Sequence, residues 1–541
     1  MGRRSSTLWR RTRSGFSWIM VRQDVRRQHI SLSKMCLARI APEAENVAMS
    51  STPSPSAASA PALSKPEIRR IIFGLMMSML LAALDQTIVA TAMPTIGRDL
   101  GDVAHLPWVV TAYLLAATSA TPLYGKLSDI HGRRPMLLVS ISTFLVGSIL
   151  CALAPTMLVL IVARFVQGVG GGGLLALSQT IAGDMLSPRE RASYQAYFAT
   201  AFTTASLAGP ILGGFFAQHL HWSMIFWINI PLGIAAFLMT NGPLKRLPRR
   251  ERPHKLDIIG AVLLVTSTSS LLLALSWGGS RFAWLSPEIL GTFAVCAILM
   301  VAFFYRLKRV PEPLIPLEVL GNKVVLTATL AASLSVGLFL GLAIYAPILF
   351  ETLRGLSASE SGVALLPLML GTVGGSLTAG RVMAKFRHYK RLPLAVLPGA
   401  ICAALVLMVG AGTLPVWGLS LILSVISIAL GTLLPIATLS IQNAVMPYQL
   451  GTALATANLC RQLGGAVFVA IFGAIIIGTG THELVGHVMA VDRGVLVKSF
   501  QVVFGFVALG SLAAFVTIVV MEERPLHGPT PVEHLTPVVG E

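Results

Sequence analysis

From Ile71 to Val520 the sequence repeats one pattern: a long apolar run, then a short gap carrying Arg, Lys, Pro or Gly. Each run approaches the roughly 20 residues that an α-helix needs to cross about 30 Å of hydrocarbon. The pattern predicts helices at 70–93, 107–127, 135–154, 156–178, 193–217, 222–241, 258–277, 287–305, 324–350, 361–381, 393–412, 414–437, 452–478 and 500–521. The expected fold class is therefore an all-α polytopic membrane protein with fourteen transmembrane helices.

The gaps carry a second signal. If the N-terminus is cytoplasmic, twenty Lys and Arg fall in inside loops, among them Lys126, Arg133, Arg134, the 245–255 segment and the 306–323 segment. Five fall outside: Arg98, Arg281, Arg354, Arg493 and Lys498. Lys and Arg in short loops set orientation. Adding or removing one span would scramble the alternation, so the charge pattern independently supports fourteen spans, with both termini cytoplasmic in the inner (plasma) membrane.

Composition closes off the soluble classes. Hydrophobic residues make up 54% of the 541 positions and charged residues 12%, with a mean hydropathy of +0.75; soluble proteins carry about a quarter charged residues. A formal charge of +18 would ordinarily suggest a nucleic-acid partner. Ten of the 41 Lys and Arg, however, lie in the first 40 residues, opposed there only by Asp24. Residues 1–68 read as a basic, disordered extension with a Ser/Ala/Pro linker at Ser51–Pro66, and Met49 is an alternative first residue. Cys36, Cys151, Cys296, Cys402 and Cys460 are widely spaced, which supports neither a metal site nor a disulfide frame. No cofactor is expected. Gly168, Gly170 and Gly173 fit a dinucleotide fingerprint by spacing alone, but they sit inside an apolar span, where small residues pack helices together.

A charge near the bilayer centre costs about 2.5–3.5 kcal/mol even on the lenient insertion scale, so Asp85, Arg164 and Arg461 each need a reason. Asp85 precedes Pro94 by nine residues and Arg164 follows Pro155 by nine, which places both about 13 Å below the outer surface at 1.5 Å per residue. Equal depth permits contact. Two readings stand: a static ion pair that fixes packing, or a carboxylate that takes up and releases protons beside a permanent cation. For Arg461, in a span that also carries Asn458, three readings stand: it binds a substrate anion, pairs with a carboxylate, or braces the helix bundle.

The turn after the second span reads Gly125-Lys126-Leu127-Ser128-Asp129-Ile130-His131-Gly132-Arg133-Arg134. The fourth span carries Arg164-Phe165-Val166-Gln167-Gly168-Val169-Gly170-Gly171-Gly172, and the fifth carries Ala205-Ser206-Leu207-Ala208-Gly209-Pro210-Ile211-Leu212-Gly213-Gly214. The first contains Leu84-Asp85-Gln86-Thr87-Ile88-Val89-Ala90-Thr91-Ala92-Met93-Pro94. These segments resemble the signature loop, the fourth-helix pattern and the exporter-type fifth-helix motif of the major facilitator superfamily, and the first-helix element of its fourteen-helix drug:proton antiporters (EmrB/QacA type). Ala205 replaces the usual leading glycine of the fifth-helix motif, and Ala90 replaces an asparagine, so a substrate role for that position lapses. Ile225–Gly233, Asp257–Gly260, Glu312–Pro316 and the Arg461 segment are also similar, and the resemblance runs from about 70 to 520.

The resemblance implies a major facilitator fold of two six-helix bundles, at 69–242 and 321–522, with two inserted helices at 243–320 and a tail at 523–541. It implies a transporter rather than an enzyme: a proton-driven exporter of small, lipophilic or drug-like molecules working by alternating access. Asp85 and Arg164 would couple protons; Gly125, Asp129, Gly132, Arg133 and Arg134 would gate the cytoplasmic side; Gln167 and Gly168 complete the fourth-helix motif; and Gly209, Pro210, Gly213 and Gly214 would bend the fifth helix. The implied partners are a small-molecule substrate, protons, the bilayer and a periplasmic adaptor protein. A major facilitator transporter for one metabolite is the alternative. A membrane-embedded enzyme or respiratory pump would need clustered intramembrane Lys, Glu or His, and the spans do not supply them.

Overall fold

A computed structural model describes residues 65–102, 105–186, 188–246, 256–279, 281–386, 388–478 and 493–524. Most of the basic extension, Cys36 and the tail beyond 524 lie outside the described residues.

The described residues form helices and no strand. In order they are α1 (Lys65–Leu100), α2 (Pro107–His131), α3 (Arg133–Ala152), α4 (Met157–Met185), α5 (Pro188–His219), α6 (Asn229–Asn241, preceded by the helical turn Met224–Trp227), α7 (Ile258–Trp277) and α8 (Pro287–Arg309). After a short Leu317–Gly321 helix come α9 (Lys323–Arg354), α10 (Ala358–Lys385), α11 (Arg391–Gly410), α12 (Val416–Ala444), α13 (Leu450–Gly478) and α14 (Arg493–Val520). Helices suit these runs because hydrocarbon offers backbone groups no partner, so each segment must satisfy its own. Capping side chains close several ends. Thr156 accepts from Val159 N at 3.4 Å at the start of α4, and Asp257 accepts from Gly260 N at 3.0 Å at the start of α7.

A helix stands at each of the fourteen expected places. Among the described residues, twelve segments are long and apolar enough to cross a membrane; α2 and α5 are long enough but fall outside that set. The lower apolarity of α2 has a structural reason: Thr118, Ser119, Thr121 and Ser128 are all buried within the protein, so α2 presents polar groups to its neighbours instead of lipid. Several boundaries differ from expectation: α4 runs to Met185 instead of 178 and α12 to Ala444 instead of 437, and α1 differs at both ends. α1 begins at Lys65 rather than 69–70, and it continues past Pro94 to Leu100 instead of stopping at 93. Proline inside a membrane helix is tolerated where neighbouring groups take up the freed backbone atoms.

The two halves repeat one packing scheme. α1 packs on α4, α5 and α6, α2 on α4, and α3 on α4 and α6; eight helices later, α9 packs on α12, α13 and α14, α10 on α12, and α11 on α12 and α14. Contacts between the halves obey the same shift, joining α2 to α13 and α5 to α10. The inserted α7 and α8 pair with each other, and α7 lies along α2 and α13, covering that seam. In α8 the most apolar stretch is only 11% buried, and Ile298 and Val301 point outward, as expected of a helix bathed in lipid.

Candidate functional site

Close helix approach builds the first part of the site. A Cβ on Gly147 of α3 would collide with the Gln167 backbone of α4, and one on Gly168 would meet Tyr113 O of α2 at 2.5 Å. Glycine thereby brings α2, α3 and α4 near enough for short polar side chains to touch. Arg164 Nη1 donates to Asp85 Oδ2 at 2.7 Å and to Gln167 Oε1 at 2.6 Å, while Gln167 Nε2 donates to Asp85 Oδ1 at 2.9 Å and to Ser148 Oγ at 2.8 Å. Asn229 Nδ2 of α6 reaches Ser148 Oγ at 3.3 Å and Asp85 Oδ1 at 3.5 Å. Arg164 Nε is anchored on Val109 O at 3.1 Å, and its guanidinium lies 4.3 Å from the Tyr113 ring centre. Asp85 is fully buried and Arg164 is 1% exposed. The predicted pair is thus in contact, inside a knot drawn from α1, α3, α4 and α6. Ser148 and Asn229 went unassigned in the sequence because neither is charged and their approach depends on tertiary packing.

A second cluster sits where α2 ends. Asp129 Oδ2 accepts from Thr452 N at 2.9 Å and from Thr452 Oγ1 at 2.7 Å, and its Oδ1 accepts from Gly451 N at 3.3 Å. These N–H groups belong to the first turn of α13, where the helix dipole favours a negative charge. Arg133 pairs with Asp129, donates to Asp184 Oδ2 of α4 at 2.7 Å and reaches Pro447 O at 3.4 Å. Arg134 instead turns to Asn241 at the end of α6, donating to its backbone O at 3.0 Å and its Oδ1 at 2.5 Å. A Cβ on Gly125 would strike Ala455 and come within 2.8 Å of Gly451 O, so α2 and α13 meet backbone to backbone. Gly132 has φ 94°, a conformation that lets the chain reverse between α2 and α3. Nearby, Gln442 of α12 donates to Gln179 O of α4 at 3.1 Å.

The 126–133, 184–191, 308–318 and 442–452 segments line one recess of about 680 Å³. Basic residues of three connecting segments, Lys126 and Arg133, Arg191, and Lys308, therefore gather at one end of the bundle, and there hydrogen bonds join the two halves.

The fifth-helix motif packs on α1. Cβ atoms on Gly209 or Gly213 would overlap Thr87 or Thr91, whereas one on Gly214 would meet nothing within 4 Å. Pro210 lies within α5, which continues through it.

A central cavity of about 710 Å³ spreads from the level of Gln179 and Leu430 toward the end opposite the basic turns, reaching Val110, Trp284 and Ala474. Its wall is mainly apolar and comes from both halves and from α7. Arg164 and Arg461 line it; Asp85 lies behind Arg164 and does not. Thr118 donates to Gln462 Oε1 at 2.7 Å across the cavity's α2–α13 wall. Asn458 is 2% exposed, is not part of the wall, and its Nδ2 has no partner among the described residues. Among the described residues no group of three or more His, Cys, Asp and Glu side chains gathers as a metal would require.

Residues 75–469 match the Major Facilitator Superfamily profile. Multidrug resistance protein 3 of Bacillus subtilis (strain 168) is 35% identical over 76% of this chain and 80% of its own length. The multidrug transporter protein MdtP of the same organism is 33% identical over 75% of each chain. Among solved structures, the human organic anion transporter MFSD10 superposes with a TM-score of 0.59 at 19% identity, over 84% of this chain and 100% of that one. The proton:xylose symporter XylE gives a TM-score of 0.54 at 16% identity, over 82% of this chain and 95% of that one. Likenesses at this identity speak to the fold alone.

Proposed function

The chain belongs to the major facilitator superfamily, and from that premise we propose that it exports small lipophilic, drug-like molecules in exchange for protons. It is a multi-pass membrane transporter and not an enzyme. In the proposed orientation the basic turns and both termini are cytoplasmic, α2 and α5 complete fourteen crossings of the inner membrane, and helices 69–242 and 321–522 rock about the central cavity while 243–320 rides with the α2–α13 seam. A periplasmic adaptor partner rests on family resemblance alone and would be sought by copurification.

One observation carries the proton role: a fully buried carboxylate, Asp85, holds Arg164 at 2.7 Å, and Arg164 forms part of the cavity wall. Arginine keeps its charge throughout, so the carboxylate is the member of the pair that can change state. Protonating Asp85 removes the charge opposite Arg164 and leaves the guanidinium with neutral acceptors only: the acid's own carbonyl oxygen, Gln167 Oε1 and Val109 O. A cation so released beside the cavity favours a rearranged bundle. The inside-negative potential adds about 2.3 kcal/mol per proton per 100 mV, sufficient to shift a two-state equilibrium substantially. Closure of the basic end by Asp129, Arg133 and the start of α13 matches the state in which the cavity faces outward, ready to take up a proton and release cargo.

The test is drug-dependent proton release from everted vesicles with wild type and Asp85→Asn. Asparagine keeps the shape and an acceptor for Arg164, so the expected result is loss of coupled proton movement with binding of drug retained. Full proton-coupled transport by Asp85→Asn would dismiss Asp85 as the carrier.

A further inference from the structure

Three arginines within the bundle have acidic partners. Arg164 has Asp85, Arg133 has Asp129 and Asp184, and Arg306 has Asp257 at 2.7 Å. Arg461 stands about 16 Å into α13 at 1.5 Å per residue, and among the described residues it has neither an acidic partner nor a hydrogen-bond acceptor. It is not sealed in the packing, because it lines the central cavity. Among the described residues no Asp or Glu lines that cavity, whereas two arginines do. Resting in a low-dielectric interior without a counter-charge is costly for a group that stays ionised. The charge is tolerable where water hydrates it, and more favourable where an anion replaces that water.

The rest of the wall says what else the anion must carry. Phe339, Met369, Tyr345 and Trp284 give it an apolar and aromatic body, while Gln179 and Gln462 offer scattered hydrogen bonding. At about 710 Å³ the space suits a drug-sized molecule. On the basis of the export reading above, we infer that the substrates are amphipathic organic anions, carboxylates above all, whose charged group is received by Arg461 while the apolar body lies along the α7, α9 and α10 walls. Lipophilic cations, the alternative class for an apolar cavity, find no carboxylate among the described residues of this wall and the uncompensated Arg461 guanidinium to repel them.

The experiment uses the full chain in phosphatidylcholine nanodiscs with three probes of one shape: 1-pyrenebutyrate, 1-pyrenebutyramide and (1-pyrenebutyl)trimethylammonium. Binding is read by energy transfer to pyrene from tryptophan, with empty nanodiscs subtracted. The carboxylate is expected to bind about tenfold tighter than the amide, the gain from one charge-assisted hydrogen-bonded pair, and the ammonium weakest. Arg461→Gln should reduce the carboxylate-to-amide ratio to about one and Arg461→Lys should preserve most of it, since the lysine keeps a cation and three donors. Equal binding of acid and amide, or preference for the ammonium, would overturn the inference from wild type alone, whatever the variants do. A ratio unmoved in Arg461→Gln would overturn it too. Proton release in everted vesicles separates this from the export reading: release with the ammonium or amide but not the acid sinks the anion site alone, while acid-selective binding with no release for any probe sinks proton-coupled export and leaves the site standing.

Discussion

Asp129 of α2 accepts both the backbone N–H and the hydroxyl of Thr452, at 2.9 and 2.7 Å, although the two residues are 323 positions apart. One carboxylate thereby closes the first turn of α13 and fastens one half of the protein to the other. Hydrogen bonds to a charged group contribute about 1.5–3 kcal/mol net, so their loss should move the open-to-closed balance at the basic end by roughly tenfold or more. The expected outcome for Asp129→Asn is a larger population with that end open. Spin labels at positions 131 and 448 in a cysteine-free background would read it as a shift to longer distances by double electron–electron resonance. An unchanged distance distribution would mean that the seam is held by other contacts.

Gln167 links both members of the buried ion pair, receiving from Arg164 at 2.6 Å and giving to Asp85 at 2.9 Å. Gln167→Ala leaves Asp85 Oδ1 and Ser148 Oγ with only the longer contacts from Asn229, at 3.5 and 3.3 Å, in a place water does not readily reach. Buried polar groups so poorly satisfied cost about 1–3 kcal/mol each. Thermal unfolding in detergent should fall by several degrees, and drug-dependent proton release should drop at least tenfold. Gln167→Glu should do worse, because it sets a second carboxylate against Asp85.

The glycines of α5 are expected to separate cleanly by position. Alanine at Gly209 or Gly213 drives a methyl into Thr87 or Thr91 and the backbone of α1 beside them, while alanine at Gly214 enters open space. Overpacking costs about 1–3 kcal/mol, whereas an unopposed surface change stays within about 0.5 kcal/mol. Melting temperatures of the three variants should therefore fall for the first two and hold for the third. Equal behaviour of all three would argue that α5 can move away from α1 at no cost.

How much of this was legible in the sequence follows from what each feature depends on. Membrane helices were visible because hydrocarbon imposes a local rule on every residue of a span, and Asp85 and Arg164 stood out because they violate it. Their contact was foreseeable only as equal depth. The other partners were hidden: Thr452, Ser148 and Asn229 are ordinary polar residues until folding brings them beside a charge, and Asp184 lies near the end of its helix, where a carboxylate draws no notice. The end of α1 was misplaced at Pro94 because a proline stop is a soluble-helix rule, weakened where neighbouring helices supply the missing contacts. Arg461 could be marked as unusual in sequence, but the lack of an acidic partner is a property of the whole bundle and cannot be read from one segment.

If Arg461 receives an organic anion and Asp85 carries the proton, the exchange cannot be electrically silent. A monovalent anion leaving the cytoplasm and a proton entering it both move with an inside-negative potential, so a one-for-one cycle carries two charges. At about 2.3 kcal/mol per charge per 100 mV the potential contributes roughly 4.6 kcal/mol to each such cycle. For a monovalent cation exchanged against one proton the two contributions cancel. In everted vesicles the lumen corresponds to the outside, so a lumen-positive potention should accelerate both steps. High external potassium with valinomycin sets that polarity, and 1-pyrenebutyrate uptake is expected to rise severalfold when it is imposed and to fall when it is reversed. Arg461→Gln should remove the response along with the uptake of the acid. Uptake indifferent to both polarities would mean that the acid crosses in its neutral form or that the exchange is electroneutral, and either result would detach Arg461 from the transported charge.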